Sequence, residues 1–91
     1  MPTVIGFDNE TSNSSTILDI ETEDRIGLLY YISRTFADLG LDISLAKILT
    51  EKGAAVDTFY ITTWDKKKIT SEEHQSYVEH RLQDAISALD K

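Results

Sequence analysis

Asp24-Arg25-Ile26-Gly27-Leu28-Leu29 joins two stretches of chain whose apolar residues repeat with different periods. Before it, Thr16-Ile17-Leu18-Asp19-Ile20-Glu21-Thr22 sets Leu18 and Ile20 on one side and Asp19 and Glu21 on the other. That two-residue alternation is the mark of a half-buried strand. After it, Leu28, Leu29, Ile32, Phe36 and Leu39 recur at helical spacing and predict one apolar stripe on a helix of about three turns. Asp24 is the expected N-cap and Gly40 the expected left-handed residue just past the helix end. Gly27 lies just inside the handover from strand to helix, where a glycine lets the turn close tightly. The first N–H groups of a helix lack internal partners, and its dipole adds partial positive charge there. Such a junction suits the carboxylate of a small molecule.

Working outward, Thr3-Val4-Ile5-Gly6-Phe7 reads as a short edge strand, and the polar run Asp8-Asn9-Glu10-Thr11-Ser12-Asn13-Ser14-Ser15 as a loop. Residues 1–15 are therefore expected to form an N-terminal strand and linker, and residues 16–91 the main domain. Residues 41–50 are extended and rich in Ile and Leu. Glu51-Lys52-Gly53 supplies a turn, and residues 55–64 are extended again, rich in β-branched and aromatic side chains. Asp65-Lys66-Lys67-Lys68 is the next turn, read as solvated. Thr70 with Glu73 forms a capping-box pattern ahead of a last helix that buries Val78, Leu82, Ala85, Ile86 and Leu89. The order predicts an α+β fold, with two helices on one face of an antiparallel sheet. One strand is short of the usual count. It is expected from residues 68–69, from the N-terminal segment or from a partner.

The 91 residues make one domain with a modest core, because a chain of this size buries roughly 60–65% of its unfolded surface. Sixteen acidic against nine basic side chains give a formal charge of −7, which repels nucleic acid and anionic membranes. No cysteine is present, so disulfides and thiolate metal sites are excluded and the cytoplasm is the expected compartment. No signal peptide is expected from Met1-Pro2-Thr3-Val4, and no apolar run approaches the ~18 residues of a membrane span.

Catalytic and metal-binding patterns are not expected. His74 and His80 stand six residues apart in the last helix, which does not bring them to one face. The glycines are scattered singly, with no phosphate-binding loop and no nucleophile elbow. No cofactor is implied. The chemistry that remains is at the junction. There Asp24 and Arg25 offer a carboxylate and a guanidinium beside the free N–H groups, as handles for the ammonium and carboxylate of an amino acid.

Those six residues resemble the Asp-Arg-Pro-Gly-Leu-Leu signature of ACT domains, small βαββαβ ferredoxin-like regulatory modules that bind amino acids. The likeness continues through Phe36-Ala37-Asp38-Leu39-Gly40-Leu41-Asp42-Ile43, Ala46-Lys47-Ile48 and Val56-Asp57-Thr58-Phe59-Tyr60-Ile61-Thr62. With Phe7-Asp8-Asn9-Glu10 in front, the pattern is most similar to the C-terminal ACT domains of the uridylylating enzymes of bacterial nitrogen regulation. The resemblance implies a ligand-sensing domain, not an enzyme in itself, with glutamine as the ligand and the PII signalling protein as the target of the parent enzyme. It implies pairing with another ACT domain, and a ligand held between the loop of one domain and the strand after the helix of its neighbour. By position, the loop contributes Asp24, Arg25, Ile26, Gly27 and Leu28, and the strand Leu41, Asp42, Ile43 and Ser44. The departure is Ile26, which stands where the family carries proline. Proline at a first helical position presets φ and lacks an N–H, so isoleucine loosens the loop and returns one donor to it.

Overall fold

In the computed structural model, residues 1–90 are described, and Lys91, the end of the expected main domain, lies outside the described residues. The elements are β1 (Val4–Asp8), β2 (Thr16–Glu23), α1 (Leu28–Asp38), β3 (Leu41–Lys47), β4 (Thr50–Glu51), β5 (Ala54–Thr63) and α2 (Glu72–Ser87), closed by a 3-10 turn at Ala88–Asp90. All pairings are antiparallel, in the order β1-β2-β5-β3, with the short β4 paired to the start of β5. Both helices cover one face, so the α+β ferredoxin-like sandwich expected from the sequence is the fold. The place beside β2 that a last strand would fill in a βαββαβ unit is taken by β1, from the start of the chain. Residues 68–69 form no strand. Ile69 is instead buried in the core, and its N–H donates to Thr16 Oγ1 at 2.8 Å.

The core lies between the sheet and the helices. Leu18 and Ile20 of β2 and Phe59 and Ile61 of β5 meet Leu28, Ile32 and Phe36 of α1 and Val78, Leu82 and Ile86 of α2. Phe36 and Phe59 pack edge to face with centroids 5.2 Å apart, a geometry worth about 0.5–1.5 kcal/mol beyond burial alone. Leu29 departs from the expected stripe and is 44% exposed, because α1 turns Leu28, Ile32, Thr35 and Phe36 to the sheet. Ala85 and Leu89 are half-buried at the edge of the α2 contact.

The caps correct the sequence reading at two points. Asp24 is not the N-cap of α1. That position belongs to Gly27, in the left-handed region at φ +84°, and no side chain caps the helix. At α2 the cap is Ser71, whose Oγ accepts the His74 N–H at 3.1 Å, so the Thr70–Glu73 pattern is displaced by one residue. Gly40 does take the left-handed position after α1, at φ +71°, and donates its N–H to Ala37 O.

Two loops are better tied than their polarity suggests. In the 8–15 loop, Asp8 Oδ1 accepts the N–H groups of Glu10 and Thr11, while Asn9 bridges Ile69 O and Thr16 Oγ1. Lys68, read as part of a solvated turn, donates to Asn9 O at 2.9 Å and to Ser12 O, while Lys66 and Lys67 are exposed. The reassigned cap gives a direct test. Ser71→Ala should lower stability by about 1 kcal/mol, and exposed Thr70→Ala should stay within about 0.5 kcal/mol, both read by urea denaturation.

Candidate functional site

The turn from β2 into α1 takes four residues, and three contacts hold it. Asp24 N–H donates to Gly53 O at 2.9 Å, which ties the loop to the β4–β5 hairpin. That hairpin turns on Lys52 and Gly53, at φ +51° and +80°, the two positive-φ positions of a type I′ turn. Leu28 N–H folds back onto Arg25 O at 3.1 Å, and Tyr31 N–H opens the helix ladder on Gly27 O. The amides of Leu29 and Tyr30 then have no backbone acceptor among the described residues. Ile26 sits before the cap, outside the helix, so it does not hold the first helical position that a proline would preset. Its side chain is fully exposed at the loop tip.

Beside this turn lies a cavity of about 190 Å³. It is smaller than the ~300–1,000 Å³ of sites for drug-sized ligands, and so suited to a small metabolite. Asp24, Arg25, Gly27, Leu28, Leu29 and Tyr30 line one side, and Ile48, Thr50, Ala55 and Asp57 the other. Of the loop residues expected from the sequence, Asp24, Arg25, Gly27 and Leu28 are thus gathered here, and Ile26 is not among the lining residues. Leu41, Asp42, Ile43 and Ser44 are not. Leu41 pairs with Thr63 at one end of β5, while Glu23, next to the loop, pairs with Ala54 at the other. At about 3.3 Å per residue the two groups stand roughly 20–30 Å apart along the sheet, Leu41 the farthest from the loop and Ser44 the nearest. They can share a ligand only across two domains. Ser44 is the extra residue where the β3–β5 register shifts, and its Oγ donates to Tyr60 O.

Arg25 is not free in the cavity. Its Nε and Nη2 bind the two carboxylate oxygens of Asp90 at 2.6 and 3.2 Å, and its Nη1 donates to Glu23 O and Thr22 Oγ1. Its side chain is only 15% exposed. The residue that reading for motifs overlooked is Asp57, 3% exposed in β5. Its Oδ1 accepts the Leu49 N–H at 3.3 Å, and its Oδ2 takes no protein hydrogen bond among the described residues. This contact also explains why residues 41–50 are not one strand: where the ladder lapses between β3 and β4, Leu49 N–H turns to the Asp57 side chain. The signal was present in the strand pattern. Ala55, Asp57, Phe59 and Ile61 alternate on the buried face, and only one of them is charged.

Burial pushes the Asp57 carboxyl above the ordinary aspartate range. The Leu49 N–H opposes that shift, and the negative charge of Asp24 adds to it. As pH rises from the ordinary aspartate value through the raised one, the unfolded chain gives up this proton first. Stability is therefore lost across that window and stays lost above it. Asp57→Asn keeps an acceptor for Leu49 and removes the charge. It should raise the stability of the free domain at pH 7, with the gain shrinking toward about pH 3.5, as followed by urea unfolding at several pH values.

Comparison with known proteins places the chain in a family. The family model described as "ACR9-like, ACT-like domain" matches residues 4–89. The bifunctional uridylyltransferase/uridylyl-removing enzyme of Cereibacter sphaeroides is 40% identical over 85 residues, which is 93% of this chain and 9% of that enzyme. Its counterpart in Ruegeria pomeroyi is 40% identical over 87 residues, covering 96% of this chain and 10% of the enzyme. That of Azospirillum brasilense is 34% identical over 87 residues. The chain spans about a tenth of the length of these relatives. No solved structure matches significantly. With the model matching nearly from end to end over the α+β sandwich described above, the chain belongs to the ACT-like domain family.

Proposed function

We propose that this chain is an amino-acid-sensing regulatory domain of a bifunctional uridylyltransferase/uridylyl-removing enzyme. In this reading glutamine is the ligand, and the controlled reaction is uridylylation and deuridylylation of the PII nitrogen-signalling protein. The observation that carries it is the small cavity at the start of α1, where free helix amides stand opposite a buried carboxylate. A zwitterion needs donors for one end and an acceptor for the other, and this cavity has both. The relatives' names support the choice of parent enzyme.

The site in this reading is completed by pairing. Asp24, Arg25, Ile26, Gly27 and Leu28 come from one domain and Leu41, Asp42, Ile43 and Ser44 from its neighbour, a division supported by their separation within one domain. A second reading, a ligand-free pairing module, is favoured by the exposed Ile26, Leu29 and Tyr30 of the loop and first helical turn and by the commitment of Arg25 to Asp90.

A thermal-shift screen over the twenty amino acids separates the two. At a hundredfold excess over Kd a ligand adds about 2.7 kcal/mol, which for a domain of this size raises the midpoint by roughly 10 °C or more. Glutamine is expected to give that shift. No shift with any amino acid at millimolar concentration, together with a dimer mass by light scattering that ignores them, would favour the pairing module.

A further inference from the structure

The charges that line the cavity fix which end of a zwitterion enters it. Three charged side chains are present: Asp24, Arg25 and Asp57. The guanidinium is spent on Asp90, Glu23 O and Thr22 Oγ1, so the uncommitted charges are both negative. Asp57 is the deeper of the two, 97% buried, with one oxygen on a long bond to Leu49 N–H and the other without a protein donor among the described residues. No buried side-chain oxygen lacks a partner among the described residues, so this second oxygen is reached from the cavity, where a cation can supply hydrogen bonds as well as charge. A primary ammonium is compact and carries three donors. It is small enough for a cavity walled by Ile48, Ala55, Leu28 and Thr50.

Building on the amino-acid reading above, we infer that Asp57 binds the ligand's α-ammonium group, while the Leu29 and Tyr30 amides at the start of α1 take its carboxylate. The polarity is the reverse of one in which Arg25 receives the carboxylate. Turned the other way, the ligand's carboxylate would sit against two aspartates, a like-charge contact that rejects it. Asp57 is therefore the residue that separates amino acids from carboxylic acids of the same length. Asp24, tied through its own backbone to Gly53, adds negative potential to the same end of the cavity.

Isothermal titration of the wild-type domain and of Asp57→Asn, with glutamine and with 4-carbamoylbutanoate, tests the assignment. The second probe is glutamine without its α-ammonium group. The wild type should prefer glutamine by at least about tenfold, the scale of one charge-assisted hydrogen bond. Asp57→Asn should weaken glutamine by about 10- to 100-fold, leave the desamino acid unchanged and erase the preference. If the variant binds glutamine as the wild type does, with the preference intact, the ammonium assignment is wrong while the amino-acid reading stands. If the wild type binds no amino acid, that reading fails and takes this inference with it.

Discussion

Gly27 is the constraint on which the site depends. At φ +84° it holds a conformation that costs an L-residue roughly 1–2 kcal/mol, and it lets β2 hand over to α1 within four residues. The short turn leaves the first helix amides unspent at the end of the sheet where β5 begins. The Asp24 N–H to Gly53 O bond fastens the same turn to the tip of the β4–β5 hairpin. Two glycines with positive φ, Gly27 and Gly53, thus bring two remote segments into one cavity wall. A longer or more regular junction would fill the space that a ligand needs.

Asp57 is the other half of the arrangement, and it works against stability. In a domain of this size the net stability is on the order of 5–12 kcal/mol, and a carboxyl whose pKa is raised by burial subtracts from it at neutral pH. The same side chain takes the Leu49 N–H where the strand ladder lapses and leaves an oxygen facing the cavity. A hydrophobic residue at this position would extend the Phe59–Ile61 face. In the proposed site, a carboxylate there trades folding free energy for recognition, the usual relation at binding sites.

The fold was legible in the sequence because period and punctuation agree. The two-residue alternation of β2, the helical stripe ending at Gly40 and the Lys52-Gly53 turn each specify an element locally. Boundaries set by one hydrogen bond were not. Ser71 caps α2 in place of Thr70 because its Oγ reaches His74, and adjacent hydroxyl residues look alike in a sequence. The source of the fourth strand depended on long-range pairing, which β1 won by matching Val4–Asp8 against β2. The loop half of the candidate site was readable from its glycine and charges. The commitment of Arg25 was not, since its partner Asp90 lies 65 residues away. Asp57 was visible as a charge in a buried register but carried no motif to draw attention to it.

Amide chemical-shift mapping tests the central claim most directly. Titrating glutamine into the ¹⁵N-labelled domain should move the amides of Gly27, Leu29 and Tyr30 together with those of Leu49 and Asp57, saturating along a single binding curve. Shifts confined to residues away from the α1 junction, or none at millimolar glutamine, would contradict the placement of an amino-acid site between Gly27 and Asp57.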